Sequence, residues 1–310
     1  MNIKARNILV NSFITRRVAI SAMLVAGIGT TLAMSGCDSY GPRIHQMRSM
    51  QVPHLAGSAL SVTSANGWIE AIQVDRGDVG IEVDLYGRDE ERLGFVTVHA
   101  DRMGDDTLRV WIEWPGGKRE NGEGATIALE LPDADGIEAH SSNGHITIVG
   151  LSGHAELKTS NGSVKIDLHD GSVFADTSNG KLMAERVSGE IEMYSSNGKI
   201  IITDAFGPIR AETSNGHVYV STMDGNEGPI RVRSSNGRID LDLGDGFVGV
   251  LKCQTGNGKV HAVGIGGADM IESGKGILEL HFEGSDEVSA IKTSNGSVRV
   301  QSRHTEPADG

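Results

Sequence analysis

Residues 157 to 184 read LKTSNGSVKIDLHDGSVFADTSNGKLMA, and one phrase occurs in them twice, around Asn161-Gly162 and again around Asn179-Gly180, 18 residues on. Apolar and polar residues alternate on both sides of each Asn-Gly pair, with Leu157 before the first and Val164 and Ile166 after it. That period of two is the signature of a strand, so each copy reads strand, tight turn, strand. Working outward, the same pair recurs at Asn143, Asn161, Asn179, Asn197, Asn215, Asn236, Asn257 and Asn295. Ser273-Gly274-Lys275-Gly276 fills the expected slot between the last two, and an early copy stands at Asn66. The steps from Asn143 onward are 18, 18, 18, 18, 21, 21, 18 and 20 residues. Two residues before each later Asn stands Ser or Thr, and three and five residues after it stand small or branched apolar residues. A further Gly, at 153, 171, 189 and 207, marks a second turn.

A lone hairpin could not bury its apolar row. Coils stacked at about 4.8 Å would pair each strand with its equivalent above and below. We therefore expect an all-β chain, a parallel β-solenoid of the β-helix or β-roll kind. It would have about nine to ten coils of 18–21 residues, a rod of roughly 40 Å, and a non-repetitive β cap. An up-and-down antiparallel sheet is the lesser alternative, because near-identical equivalent residues suit in-register stacking. Asn and Gly tolerate φ > 0 in a tight turn, and stacked Asn amides can bond along the rod as a ladder. Ten copies of a Ser-Asn-Gly-like motif cannot each supply a catalytic Ser, so the motif reads as structural.

Residues 1–36 carry four positive charges (Lys4, Arg6, Arg16, Arg17), no acid, and the apolar run Val18 to Met34. They read as an export signal. Met34-Ser35-Gly36-Cys37 resembles the lipobox at which bacterial lipoprotein precursors are acylated on Cys and cleaved before it. Thr15-Arg16-Arg17 leaves general and twin-arginine export both open. Asp38 resembles the residue that retains enteric lipoproteins at the inner membrane. Residues 37–57 lack periodicity, contain Pro42 and Pro53, and are expected to be a tether. Residues 58–137 then hold the first coil and a β-rich cap with exposed loops GRDEERLG and WPGGKRENGEG, 138–300 the solenoid, and 301–310 a disordered tail.

Taken together, the early SANG strand, GIEVDLYG, DDTLRVWIEWPGG, the Pro-Asp-Ala-Asp approach to IEAHSSNGHITI, and the tandem TSNG coils resemble the bacterial β-strand-repeat family catalogued as putative adhesins of unknown function. The resemblance spans about residues 57 to 300. It implies the repeat fold and offers no catalytic residues to carry over.

The net charge of −13 becomes −17 once residues 1–36 are set aside, leaving 24 basic against 41 acidic residues, and this argues against nucleic acid as a ligand. Outward acids such as Glu138, Glu156, Glu192, Glu212 and Asp240 read as scattered over different columns, so no catalytic carboxylate pair is expected. The 11 His are dispersed, and Cys253, in the inward apolar column, reads as a small buried hydrophobe. Asp170-Gly171, Asp224-Gly225 and Asp245-Gly246 approach a calcium-roll turn, but the Asn-Gly turns lack the carboxylate, so no metal and no cofactor are expected. Two residues after each Asn, however, run His145, Ser163, Lys181, Lys199, His217, Arg238 and Lys259. This row makes Lys181, Lys199, Arg238 and Lys259 candidate contacts for a polyanion.

The expected function is that of a non-enzymatic envelope lipoprotein, held to the membrane through Cys37 and facing the periplasm or the cell exterior. It would act as an interaction scaffold or adhesin-like surface for an envelope glycan or a protein. A polysaccharide-acting solenoid enzyme is the first alternative and requires carboxylates clustered on one face. A partner or sensor subunit of envelope signalling is the second.

Overall fold

In a computed structural model of the chain, the described residues are 43–302, apart from 103 and 105. The signal segment 1–36, Cys37 and residues 303–310 lie outside them. The unit around Asn161 shows the local logic. Its first strand, β10 (Ser152–Thr159), buries Ala155, Leu157 and Thr159, and its second, β11 (Val164–Asp170), buries Val164, Ile166 and His169. Across the Asn-Gly turn the two form no ladder. Instead β10 pairs in parallel with β8 (Asp135–Ser141) and β12 (Val173–Thr177), while β11 pairs in parallel with β9 (Ile146–Val149) and β13 (Leu182–Ser188). Leu157 thus lies beside Ala139 and Ala175, and Ile166 beside Ile148 and Ala184. Every inward side chain meets its own equivalents, which is why near-identical repeats fit.

The pattern continues through β14 (Ile191–Ser195), β16 (Ile209–Thr213) and β18 (Ile230–Ser234) before the turns. After them come β15 (Ile200–Ala205), β17 (Val218–Thr222) and β19 (Ile239–Leu243). We call the ladder of strands that precede the turns sheet A and the ladder of those that follow sheet B. The apolar faces of both contribute to one continuous core, and the 25 strands among the described residues belong to one hydrogen-bonded network. The second turn has its own backbone demand. Leu168, Arg186 and Asp204, one residue per unit, hold φ of 54°, 54° and 52°, and Gly171, Gly189 and Gly207 follow at 143°, 143° and 132°.

The last repeats abandon chain order. β24 (Val288–Thr293) lies between β18 and β20 (Gly249–Thr255), and β25 (Val298–Ser302) lies between β19 and β21 (Val260–Val263). The unit of Asn257 is therefore the outer one, and the unit of Asn295 fills the level between it and Asn236. The slot at Ser273–Gly276 is not a coil, contrary to expectation. It is the turn of an antiparallel hairpin, β22 (Ala268–Gly274) and β23 (Ile277–Phe282), in which β23 pairs with β20. Lys275 stands where the true units carry Asn, so this copy has no amide to add to a ladder, and Gly276 takes φ +83°. Leu278 and Leu280 are buried against β20, while Ile271, expected inward, is 61% exposed.

At the other end β2 (Leu60–Ser64) and β3 (Ile69–Gln73) stack on β8 and β9. Beyond them β6 (Leu108–Glu113) and β7 (Gly124–Leu131) add a further parallel level. Antiparallel strands then close this end: β5 (Thr97–Arg102) on β6, β4 (Asp78–Gly87) on β7, and β1 (Ile44–Pro53) on β4. The expected tether is thus corrected, since residues 44–53 are a ten-residue strand. Its alternation is hidden because polar Gln46 and Arg48 occupy two of the half-buried positions. Arg48 is satisfied there by the carbonyls of Val96 (2.8 Å) and Leu93 (3.1 Å). An edge strand also tolerates Pro53. The boundaries at 138 and 300 shift too, because β8 begins at Asp135 and Gln301 and Ser302 belong to β25. The two charged loops are not simply exposed. Arg92, in the short helix Glu90–Gly94, reaches buried Glu123 at 2.6 Å, and Leu93 and Trp114 are buried beneath them.

Leu168 is about half exposed and holds a positive φ of 54°, a left-handed conformation that costs roughly 1–2 kcal/mol in a non-glycine residue. Glycine returns up to about 1 kcal/mol of that through the unfolded chain. Leu168→Gly is expected to stabilise the protein by about 0.5 kcal/mol, read as a higher midpoint in thermal unfolding.

Candidate functional site

The Asn-Gly turns form one column. In stack order the Asn side chains run 66, 143, 161, 179, 197, 215, 236, 295 and 257; from Asn143 on, each amide nitrogen donates to the Oδ1 of the Asn before it in the stack, while Asn66 Nδ2 donates to Glu123 O at 3.2 Å. The bond from Asn143 reaches Asn66, and the remaining distances lie between 2.7 and 2.9 Å. The hydroxyl two residues before each Asn is buried and donates to a backbone carbonyl one level away, and in the units from Asn143 to Asn236 it also accepts from its own turn. Thr177 Oγ1 accepts from Gly180 N at 3.2 Å and donates to Gly162 O, one level away, at 3.0 Å. Ser141, Thr159, Ser195, Thr213 and Ser234 repeat that pattern. One hydroxyl thereby satisfies two backbone groups that would otherwise be buried without partners.

The turn glycines are required for a reason other than the expected one. Within the column of Asn-Gly turns only Asn66 has positive φ (60°), and none of the column's glycines does. What excludes a side chain is the neighbouring level. A Cβ on Gly144, Gly162, Gly180, Gly198, Gly216, Gly237, Gly258 or Gly296 would stand 1.6 to 2.0 Å from the carbonyl oxygen of the stacked glycine.

The row two residues after Asn is less regular than its sequence. His145 lies against Trp68 in a tilted arrangement, with ring centroids 5.9 Å apart, and accepts from Ser163 N at 2.9 Å. Lys181 and Lys199 are neighbours. Arg238 is paired with Asp240, which also meets His217 at 2.7 Å, and Ser297 separates Arg238 from Lys259 because the last unit is inserted there. The four cations proposed as a polyanion stripe therefore reduce to one adjacent pair and two isolated members.

The outward acids are not all scattered. Glu138, Glu156 and Glu192 occupy one column of sheet A, with Glu138 and Glu156 directly adjacent, whereas Glu212 lies in another column and Asp240 on sheet B. Five-residue spacing from Asn was the signal available for this. Glu138 meets His140 at 2.8 Å, and Glu156 accepts from the Lys158 ammonium, which holds its carboxyl below the usual carboxylate range. A general acid needs the opposite displacement. Among the described residues, no three His, Cys, Asp or Glu side chains converge closely enough to hold a metal ion. Cys253 is buried between Ile291 and Leu278, and burial pushes its thiol up to about 12. No helix among the described residues is long and apolar enough to cross a membrane.

Comparison with known proteins finds no matching family model and no matching curated protein. Solved structures with a similar arrangement include a putative cell adhesion protein from Clostridium sporogenes. It is 10% identical with a TM-score of 0.29, covering 84% of this chain and 100% of that one. A putative adhesin from Bacteroides fragilis is 14% identical with a TM-score of 0.35, covering 83% and 97%. A putative lipid binding protein from Parabacteroides distasonis is 13% identical with a TM-score of 0.28, covering 83% and 96%. At these levels the likenesses assign neither ligand nor activity.

Two outcomes follow from the turn geometry and the core. Gly180→Ala is expected to destabilise by about 3 kcal/mol or more, because backbone rather than a flexible side chain must yield. Gly77→Ala, in open space with ordinary φ, should stay within about 0.5 kcal/mol of the parent in denaturant unfolding. His169 is buried in the second turn with Nε2 2.9 Å from Gly153 O, and burial lowers its pKa from 6.5. The unfolded chain therefore takes up this proton first. Stability from this residue is complete above pH 6.5 and is lost as pH falls from there toward the folded value, by at most about 1.4 kcal/mol per pH unit. For His169→Val, which copies Val187 one level on, the wild-type-minus-variant stability difference should be flat above pH 6.5 and fall as pH drops below it, and a difference that stays flat there would show that His169 does not carry the effect.

Proposed function

We propose that this chain is a lipid-anchored β-solenoid of the cell envelope, acylated at Cys37, whose body is an interaction scaffold of adhesin-like type. The observation that carries the proposal is the in-register stacking. It holds outward side chains in rows about 4.8 Å apart on the outer faces of sheets A and B, a rigid surface suited to an extended partner. The ladder of turns and the shared core keep those rows from shifting, so recognition would cost little ordering entropy. The envelope location rests on the export-type segment 1–36 and the Met34-Ser35-Gly36-Cys37 lipobox. A polysaccharide-acting enzyme gains no general acid from Glu156, whose Lys158 partner favours the ionised carboxylate.

Full-length protein mixed with envelope glycan from its own cells is expected to be retained without releasing new sugar ends. Release would overturn the scaffold reading in favour of the enzyme, and loss of retention with one protein co-purifying from membranes would favour the signalling alternative. Cys37→Ser is expected to abolish incorporation of labelled palmitate in growing cells, and labelling that persists would overturn the anchor.

A further inference from the structure

The out-of-order repeat assembles a cluster of cations that adjacency in the chain does not reveal. Along β16, β18, β24 and β20, in stack order, the outward positions of sheet A hold Arg210 and Glu212, then Arg231 and Arg233, Ala290 and Lys292, and Lys252 and Gln254. Arg210 is directly beside Arg231, and Arg233 directly beside Lys292, although 59 residues separate the second pair in sequence. These side chains stand on a grid of about 4.8 Å between strands and about 6.8 Å along them. Arg210 is engaged by Glu212 at 2.8 Å and Lys252 by Glu279 at 3.2 Å. Arg231, Arg233 and Lys292 are exposed and form no ion pair among the described residues, although Glu212, engaged by Arg210, stands directly opposite Arg233.

Like charges set directly opposite each other across a strand pair destabilise a sheet. This chain has a net charge of −13 and ample acid to neutralise them, as it does with Glu156 beside Lys158 on the same face. Glu212, which engages Arg210 and stands opposite Arg233, is the one acid in this part of the grid, and the remaining repulsion is offset when an anion binds. We propose that the Arg231–Arg233–Lys292 end of sheet A's outer face binds a linear acidic glycan, one carrying carboxylate or phosphate groups at intervals of several ångströms. This deepens the scaffold reading by naming a ligand class and a place for it. The same face argues against a bilayer as the ligand. Its other half displays Glu138, Glu156, Asp176 and Glu192, which a broad anionic surface would repel and a thin chain crossing the basic end would avoid.

The test is a titration of full-length protein with labelled polygalacturonate, and in parallel with inorganic polyphosphate and phosphatidylglycerol vesicles, at low and high salt. Wild type is expected to bind one or both soluble polyanions with an affinity that falls with salt. The triple change Arg231→Glu, Arg233→Glu and Lys292→Glu should weaken binding at least about tenfold, while reversing Lys181, Lys199 and Lys259 to Glu changes it less than about threefold. If the triple reversal lowers the unfolding midpoint, the Gln versions at the same three positions carry the test. Equal losses in both variants, no loss in the triple variant, or binding to vesicles alone would overturn the assignment. A wild-type protein that ignores both polyanions yet is retained on whole envelope glycan would overturn it too, and would leave the scaffold reading standing.

Discussion

Every level of this protein depends on the contact between a turn glycine and the carbonyl of the turn stacked against it. With no Cβ at Gly162 or Gly180, the backbones come close enough for Thr177 to accept a bond from its own turn and donate one to the next. The same closeness brings Asn amides within bonding distance of each other. Parallel pairing of the flanking strands and burial of Leu157, Ile166 and their equivalents proceed from that spacing. The hydroxyl is the sensitive member. It is buried and serves two backbone groups, whereas the Asn ladder is exposed and competes with water.

A stack of this kind must also end, and its ends depart from the repeat. At the amino-terminal side antiparallel strands β4, β1 and β5 replace parallel ones, with Arg48, Arg92 and Glu123 tying loops across the exposed edges. At the other side the chain places the Asn257 unit outermost, covers β20 with the β22–β23 hairpin, and returns to fill the level it skipped. The return separates Arg238 from Lys259 on one surface and joins Arg233 to Lys292 on another, so the electrostatic character of both surfaces is a product of topology.

The turn column was legible in the sequence because its chemistry is local and repeated. Ser or Thr, Asn and Gly at fixed offsets, with alternating apolar flanks, specify a strand, a turn and a strand wherever they occur, and 18-residue steps specify that equivalents meet. β1 was not legible, because Gln46 and Arg48 interrupt its apolar alternation and are satisfied only by carbonyls of Leu93 and Val96, far along the chain. Nor was the true reason for the turn glycines, which lies in the neighbouring level and not in their own φ.

By itself, then, the sequence determined the unit: an all-β repeat with an inward apolar row, a hydroxyl, an amide and a glycine in each turn. Only the tertiary structure decided the order of the units. The physical reason is degeneracy: Asn257 and Asn295 present the same Thr, Asn and Gly at the same offsets, so the turn chemistry alone does not choose which of them stacks on Asn236. What breaks the tie is non-local, the hairpin that Lys275 sends out of the column and the closure of the core beneath β20. The outward side chains take no part in that choice, and their neighbours, including the cations on sheet A, are assigned only once it has been made.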